Sequence, residues 1–352
     1  MMIQDTVQKI KASIVGCGRI SSTFEDTLDT QKPHSHAGAY SSHPEVDLVS
    51  ASDICEKART SFRNRWGVET FENYIEMINT AESEIVSICT PPDLHSEQIL
   101  KIIENCPSVR LIWCEKPIST SVQDTINVSN ACKLKNVSLT INTWRRWDGF
   151  HKEVLKVINS GEIGRPYLFE CKAHVGIMNT CSHLFDLVLM YSGSESESVF
   201  CKMENDGSDD PGFIGVVELE SGVTAFIDNV WKENQVFGMF IQGEKGSISA
   251  FSNGVLLDEF HINKKAGSRK VSRSEFNFDS PMLCAVSNFV NHIKRGDDLE
   301  CTSEDAAEVM KIISACYQSN SSLQVVKSVQ PEFINMNFKS RQTSMTRSGR
   351  ID

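Results

Sequence analysis

No stretch of the 352-residue chain approaches the roughly 20 consecutive apolar residues of a membrane span. Its opening segment, MMIQDTVQKIKAS, lacks the apolar core of about 7 to 15 residues that a secretory signal needs. Positive charge is also short, with 35 Lys and Arg against 46 Asp and Glu and a formal net charge of −11. Non-specific nucleic-acid binding needs a basic surface to displace counterions. Neither a nucleic-acid nor a membrane partner is therefore expected; a small-molecule partner is. Twelve cysteines are present, but no C-x-x-C pair, so the close ligand pairs of a structural zinc site are missing and no metal is expected. Several thiols lie in apolar runs, such as Cys89 in IVSICT and Cys114 in LIWCEK, where a thiol packs as a small hydrophobe. Buried free thiols imply a reducing compartment, and the chain is expected to be cytoplasmic.

What is present is the balance of a globular protein, 40% hydrophobic and 23% charged, with enough length for two domains. Up to residue 143, short apolar runs alternate with amphipathic segments: 12–18, 46–53, 84–90, 109–116 and 137–142 read as strands. These runs are continuous rather than alternating, as in a parallel sheet covered on both faces. The expectation for 1–143 is a doubly wound, Rossmann-type α/β domain. From about 166, consecutive strands with turn signals such as Ser221-Gly222 replace the alternation. Two helices follow, near 281–294 and 303–319, the second capped by Thr302 or Ser303. Residues 144–330 are thus expected to form an α+β domain with a mostly antiparallel, open-faced sheet. The polar, locally basic tail 331–352 reads as a disordered or loosely docked end.

The first strand runs into Gly16-Cys17-Gly18-Arg19-Ile20, and the third glycine of a G-x-G-x-x-G pattern is replaced by Ser21. Such a turn is either a structural connection or a dinucleotide cradle. Asp53, at the end of the second strand, favours the cradle. Its carboxylate can accept both adenosine ribose hydroxyls and would repel a 2′-phosphate, which favours NAD over NADP. Serine at position 21 is small enough for close helix–sheet packing. The segment 21–40 is longer and more polar than a usual crossover and reads as an inserted loop, with the helix resuming at HAGAYSSH. Within it His34 and His36 are expected to be solvated, the other reading being ligand or substrate contacts.

Four further segments carry more specific information. Thr90-Pro91-Pro92 follows a strand, with His95 at the next helix start. Glu115-Lys116-Pro117 ends the following strand. NTWRRWDGFHKEV begins the crossing into the second domain, and NTCSHLFDLVLMYSG places His183 and Asp186 three apart on a helix. In this order and at these intervals the chain resembles the Gfo/Idh/MocA family of oxidoreductases, nearly to its C-terminus. The resemblance implies a cofactor site built from Gly16, Cys17, Gly18, Arg19, Ile20, Asp53, Thr90, Pro91, His95, Glu115 and Lys116. It places Lys116 beside the nicotinamide, on the reacting hydroxyl or carbonyl, where a partly desolvated amine suits proton transfer. The family's D-x-x-x-H element appears as Asn179 and His183. Asparagine cannot raise the basicity of the histidine as a carboxylate does, so Lys116 and His183 are expected to be catalytic with Asn179 positioning substrate; a merely packed His183 is the alternative. Arg145, Arg146 and Asp186 are candidate substrate contacts, against an interdomain ion pair for the arginines and an orienting role for Asp186.

The implied activity is NAD(P)-dependent hydride transfer between nicotinamide and a secondary alcohol or ketone of a sugar, cyclitol or nucleotide-linked sugar. An NAD-dependent glycosidase using transient oxidation, or a non-catalytic dinucleotide sensor, are the alternatives. The resemblance also implies a homo-oligomer, a dimer or tetramer, built on the open-faced sheet.

Overall fold

The computed structural model describes residues 8–27, 30–174, 176–205, 207–231, 236–252 and 256–328, so the expected 331–352 tail lies outside the described residues. Strands β1 (Ile10–Val15), β2 (Val46–Ser52), β3 (Glu69–Phe71), β4 (Ile85–Ile88), β5 (Leu111–Cys114) and β6 (Ser138–Ile141) pair in parallel, in the order β3-β2-β1-β4-β5-β6. Helices α1 (His36–Ser42), α2 (Glu56–Trp66), α3 (Tyr74–Ala81), α4 (Pro92–Asn105) and α5 (Val122–Leu134) connect them. Every residue of β4 (IVSI) and β5 (LIWC) is buried, as continuous apolar runs require when helices cover both faces. The three-residue edge strand β3 was not expected, being too short to show a period. Strand order reverses between β1 and β4, and ligands of such sheets bind outside the strand C-termini at this switch point.

The glycine turn does not lead directly into a helix. After Ser21 the chain makes a 3₁₀ turn (Thr23–Asp26) and returns at α1, where His36 N–H donates to Ile20 O (3.3 Å) and Ala37 N–H to Ser21 O (3.0 Å). The described residues 22–27 and 30–35 are therefore part of an excursion that returns to its start between turn and helix. Glu25, 4% exposed, organises it: Oε1 accepts His34 N–H (2.9 Å), Ser35 N–H (2.8 Å) and Ser35 Oγ–H (2.7 Å). Trp66 Nε1–H donates to Ser22 Oγ at 2.8 Å, and Arg65 grips Asp26 through both terminal nitrogens.

The second unit runs through α6 (Gly149–Asn159), β7 (Pro166–His174), a π-helical turn (Ile177–Cys181) and α7 (Ser182–Ser192). It continues with β8 (Ser196–Met203), β9 (Phe213–Leu219), β10 (Thr224–Trp231), β11 (Phe237–Gly243) and β12 (Gly246–Ser252). The hairpin of β13 (Glu259–Lys264) and β14 (Gly267–Ser272) comes next, then α8 (Pro281–Arg295), α9 (Ser303–Ser322) and β15 (Val326–Lys327). The nine strands form one sheet, β14-β13-β12-β11-β7-β10-β9-β8-β15, antiparallel except for the β7–β10 pair. Phe169, Phe185 and Phe213 are among the buried side chains of its core.

Helix α8 crosses back to the first sheet. Its buried Met282, Ala285, Val286 and Phe289 share a cluster with Ile14 and Trp113, and the Phe289 ring lies 5.0 Å from Trp113 and 5.6 Å from Trp147. A chain segment late in sequence thus seals the first domain and couples the two units. All twelve cysteines are free and nine are buried, as their apolar surroundings suggest. Among the described residues no helix is long and apolar enough to cross a membrane.

Replacing Glu25 by Ala leaves three buried donors without an acceptor, each costing about 1 kcal/mol or more. Hydrogen exchange at His34 and Ser35 should accelerate at least about tenfold while the β4 and β5 amides stay protected.

Candidate active site

The glycine turn has little freedom. Gly16 adopts φ +97°, its N–H donates to Ser52 O at 2.8 Å, and a Cβ there would stand 2.8 Å from Cys89 O. Backbone therefore passes where no side chain fits, as a cradle for a pyrophosphate requires. Asp53 is bound into the same turn: Oδ2 accepts Cys17 N–H and Oδ1 accepts Cys55 N–H, each at 2.8 Å. Ser21, fully buried in the third glycine position, donates its hydroxyl to Gly18 O at 2.9 Å.

His34 and His36, expected to be solvated, are both buried, at 8% and 0% exposure. The excursion folds His34 inward, where Nε2 sits 3.2 Å from both Thr30 O and Thr30 Oγ1. His36 opens α1 and stacks 3.8 Å from Trp113. Its Nε2 lies 2.9 Å from Glu115 Oε1 and its Nδ1 2.9 Å from Ser87 Oγ, which lies 2.7 Å from the Tyr40 hydroxyl. One ordering satisfies the chain: Tyr40 donates to Ser87, Ser87 to His36 and His36 to Glu115. Asn142 Nδ2–H adds a donor to Glu115 Oε1 at 2.6 Å. Burial alone would raise the Glu115 carboxyl, but the His36 and Asn142 donors and the Lys116 charge outweigh it and hold the pKa below the usual value.

Lys116 follows directly. Its Nζ donates to Asn179 O (2.8 Å) and Asn179 Oδ1 (3.1 Å). Burial lowers its pKa to about 8, with Arg145 pushing the same way and Glu115 and Asp210 opposing. Asn179 lies in the π-helical turn and His183 in the first turn of α7. The π-turn, a distortion that often marks functional sites, brings both to one cavity. Among the described residues His183 Nδ1 is buried without a partner, and burial, then Lys116 and Arg145, hold its pKa well below the usual histidine range.

The cavity measures about 270 Å³. Glu115, Lys116 and Asn142 contribute from the strand ends; Asn179 and His183 from the second unit; Pro281 and Met282 from the start of α8. Phe24, Thr30, Gln31, Pro33 and His34 of the excursion close another side. A larger groove of about 910 Å³ lies elsewhere, lined by Arg146, α5, α6 and α9. Its cations are matched to acids (Lys133–Glu304, Lys152–Glu300, Arg146–Asp305, Lys311–Glu308), whereas the smaller cavity holds the unpartnered histidine and the lowered lysine. The smaller cavity is therefore the candidate site.

Four expected contacts lie outside the cavity lining. His95 does not face the cavity: its Nδ1 lies 2.8 Å from Pro117 O and its Nε2 2.7 Å from Thr90 O, so the ring sits between two backbone carbonyls behind the site. Arg146 and Asp186, expected at the substrate, pair with each other at 2.8 Å, and Arg146 also binds Asp305 at 2.9 Å. Burial, the main cause, raises the Asp186 pKa to about 6 despite Arg146. Arg145 does not line the cavity, but its charge is felt at Lys116 and His183. It is 8% exposed, packed 4.4 Å from the Trp144 ring and 4.1 Å from that of Phe237, with Nε and Nη1 unpartnered. Thr90 Oγ1–H donates to Gln98 Oε1 at 2.6 Å, and Pro91 precedes α4 as its N-cap. Asn142 and Asp210 were missed by sequence reasoning. Asn142 had a signal, being the residue directly after a parallel strand; Asp210 had none.

A glycine cradle at the switch point of a parallel sheet, joined to a second unit that supplies a histidine and completes a lysine site, defines a dinucleotide-dependent oxidoreductase architecture. Residues 10–143 match the model of the oxidoreductase family with an NAD-binding Rossmann fold, Gfo/Idh/MocA. An uncharacterized oxidoreductase of Bacillus subtilis is 24% identical over 89% of this chain and 94% of its own. Myo-inositol 2-dehydrogenase of Thermotoga maritima is 23% identical over 92% of this chain and 99% of its own. Among solved structures, an Agrobacterium radiobacter oxidoreductase in complex with NAD+, L-tartaric acid and magnesium shares the fold, with TM-score 0.77 and 15% identity over 91% of this chain and 99% of that one. The match to the Gfo/Idh/MocA family model covers the first domain, and similarity to oxidoreductase relatives runs over about nine-tenths of the chain.

His36→Phe keeps a ring against Trp113 but removes the donor to Glu115, leaving a buried carboxylate short of a partner. Denaturant unfolding should show a loss of about 3 kcal/mol relative to wild type.

Proposed function

We propose that the protein is an NAD-dependent dehydrogenase or reductase acting on a secondary alcohol or ketone of a sugar or cyclitol. The observation that carries this reading is the Lys116 amine. Two of its hydrogens are directed to the two oxygens of Asn179, leaving one position for a proton or a lone pair. A pKa of about 8 lets that position exchange its proton near neutral pH. In oxidation the neutral amine accepts the hydroxyl proton of the substrate; in reduction the ammonium returns one to the carbonyl oxygen. His183, held neutral beside it, offers its unpartnered Nδ1 to a neighbouring substrate hydroxyl or shares the proton.

The residues present fit a dinucleotide. Gly16, Cys17, Gly18, Arg19 and Ile20 would hold the pyrophosphate, Asp53 the adenosine ribose, and Thr90, Pro91, Glu115 and Lys116 the nicotinamide end. When bound, the nicotinamide supplies the hydride acceptor or donor. The carboxylate of Asp53 favours ribose hydroxyls over a 2′-phosphate, which supports NAD rather than NADP. Relatives named as inositol 2-dehydrogenases support a polyol substrate. Arg145, with two unpartnered nitrogens near the cavity, is the arginine best placed to meet substrate oxygen after a side-chain shift. On the outer face of the large sheet, Phe226 and Phe200 flank Val216 in register; with Ile214 they leave an exposed apolar patch that supports a homo-oligomer.

A panel of cyclitols and sugars with NAD, followed at 340 nm, tests the reading; release of an aglycone without net NADH would replace it with the glycosidase. Lys116→Ala should lower kcat about 10²–10⁴-fold while dinucleotide binding persists. For wild type, the oxidation rate should rise with pH through about 8 and level off above it, because the neutral amine is the acceptor. The reduction rate should fall over the same interval. NAD should exceed NADP in kcat/KM by about tenfold or more, and Asp53→Ser should narrow that ratio.

A further inference from the structure

Lys116 depends on Asn179, and Asn179 depends on a residue far from both in sequence. Asp210 Oδ1 accepts Met178 N–H at 2.7 Å and Oδ2 accepts Asn179 N–H at 3.1 Å. Beside it, Ile177 N–H donates to Pro211 O at 3.2 Å. Gly176 makes room: it adopts φ +115°, and a Cβ there would stand 2.8 Å from Asp210 Oδ2. The carboxylate therefore clamps the first residues of the π-helical turn, the turn whose oxygens receive the Lys116 hydrogens.

We infer that Asp210, in the loop between β8 and β9, is a positioning residue for Lys116, holding Asn179 against the amine and supplying negative charge one link away. The inference rests on the reading of Lys116 as the proton carrier. Asn179 brings two oxygens to the amine but no charge, so the anions that favour the ammonium are Glu115 from the end of β5 and Asp210 from this loop. Arg145, from the turn after β6, opposes them, and Lys116 in turn depresses His183 on α7. Removing the Asp210 charge shifts this balance toward the neutral amine.

The test needs no turnover. Trace labelling of the full-length protein with acetic anhydride across a pH series, with Lys116 followed by mass spectrometry, reads the midpoint at which its amine becomes nucleophilic. The wild-type midpoint should lie near about 8. Asp210→Asn should lower it by about one pH unit, and adding Asn179→Asp should bring it back to the wild-type value or above. Gly176→Ala, which crowds Oδ2 without altering any charge, should lower it in the same direction and serves if Asp210→Asn does not fold. An unchanged midpoint in the folded Asp210→Asn or Gly176→Ala protein overturns the coupling. A wild-type midpoint in the ordinary lysine range, with the Asp210→Asn shift still present, overturns the proton-carrier reading and leaves the coupling standing.

Discussion

A carboxylate at the end of a central strand cannot be buried without donors, and Glu115 at the end of β5 obtains them from two directions. His36 reaches it from the start of α1 and Asn142 from the end of β6. An unpaired buried carboxylate costs several kcal/mol, so these donors hold three chain segments at one point. The constraint propagates. Helix α1 must begin where His36 meets Glu115, which is why the excursion returns to its start and its base is sealed by Ile20 and Ser21 carbonyls. The His36 ring in turn needs a flat surface, and Trp113 supplies it.

The same point sets the chemistry. Lys116, next in sequence, is carried to the mouth of the sheet with an anion beside it, so its ammonium is depressed by burial but not lost. The second unit completes the site through a distorted turn rather than a regular helix, placing Asn179 on the amine and His183 within the same cavity. Helix α8 crosses back over the first sheet and brings Pro281 and Met282 to the cavity wall. Partial enclosure from both sides reduces solvent access, and the lower local dielectric makes each charge count for more.

Polar pairing inside this protein is selective. Arg146, Asp186 and Asp305 form a partly buried ion-pair set outside the cavity lining, and His95 sits between two backbone carbonyls. Each has the residue type of a functional group and the geometry of a brace. His183 Nδ1 and the Arg145 nitrogens are the reverse, buried polar atoms with no brace to make. A buried unpartnered polar atom is costly, and the one on His183 belongs to a residue that lines the cavity, where another molecule can satisfy it.

The alternation of apolar runs and amphipathic segments was enough to define the parallel sheet, because a strand covered on both faces has no polar period. The glycine turn, Asp53 and the Glu115-Lys116 pair were readable for a similar reason: backbone that passes within van der Waals reach of a neighbour tolerates only glycine, and strand C-termini are where such sheets open. The short edge strand β3, the return of α8 and the burial of His34 and His36 were not readable, since each depends on what lies across the fold rather than along the chain. For Arg146 and Asp186 the sequence left substrate contact and ion pairing both open, and only the fold shows that they pair with each other; Asp210, with no local pattern at all, acquires its place only when the loop before β9 meets the turn before α7. The sequence by itself determined which residues can carry charge, bend the backbone or fill a core; the tertiary structure alone decided which of the charged ones found partners, because pairing is settled by distances through space that spacing along a chain does not encode.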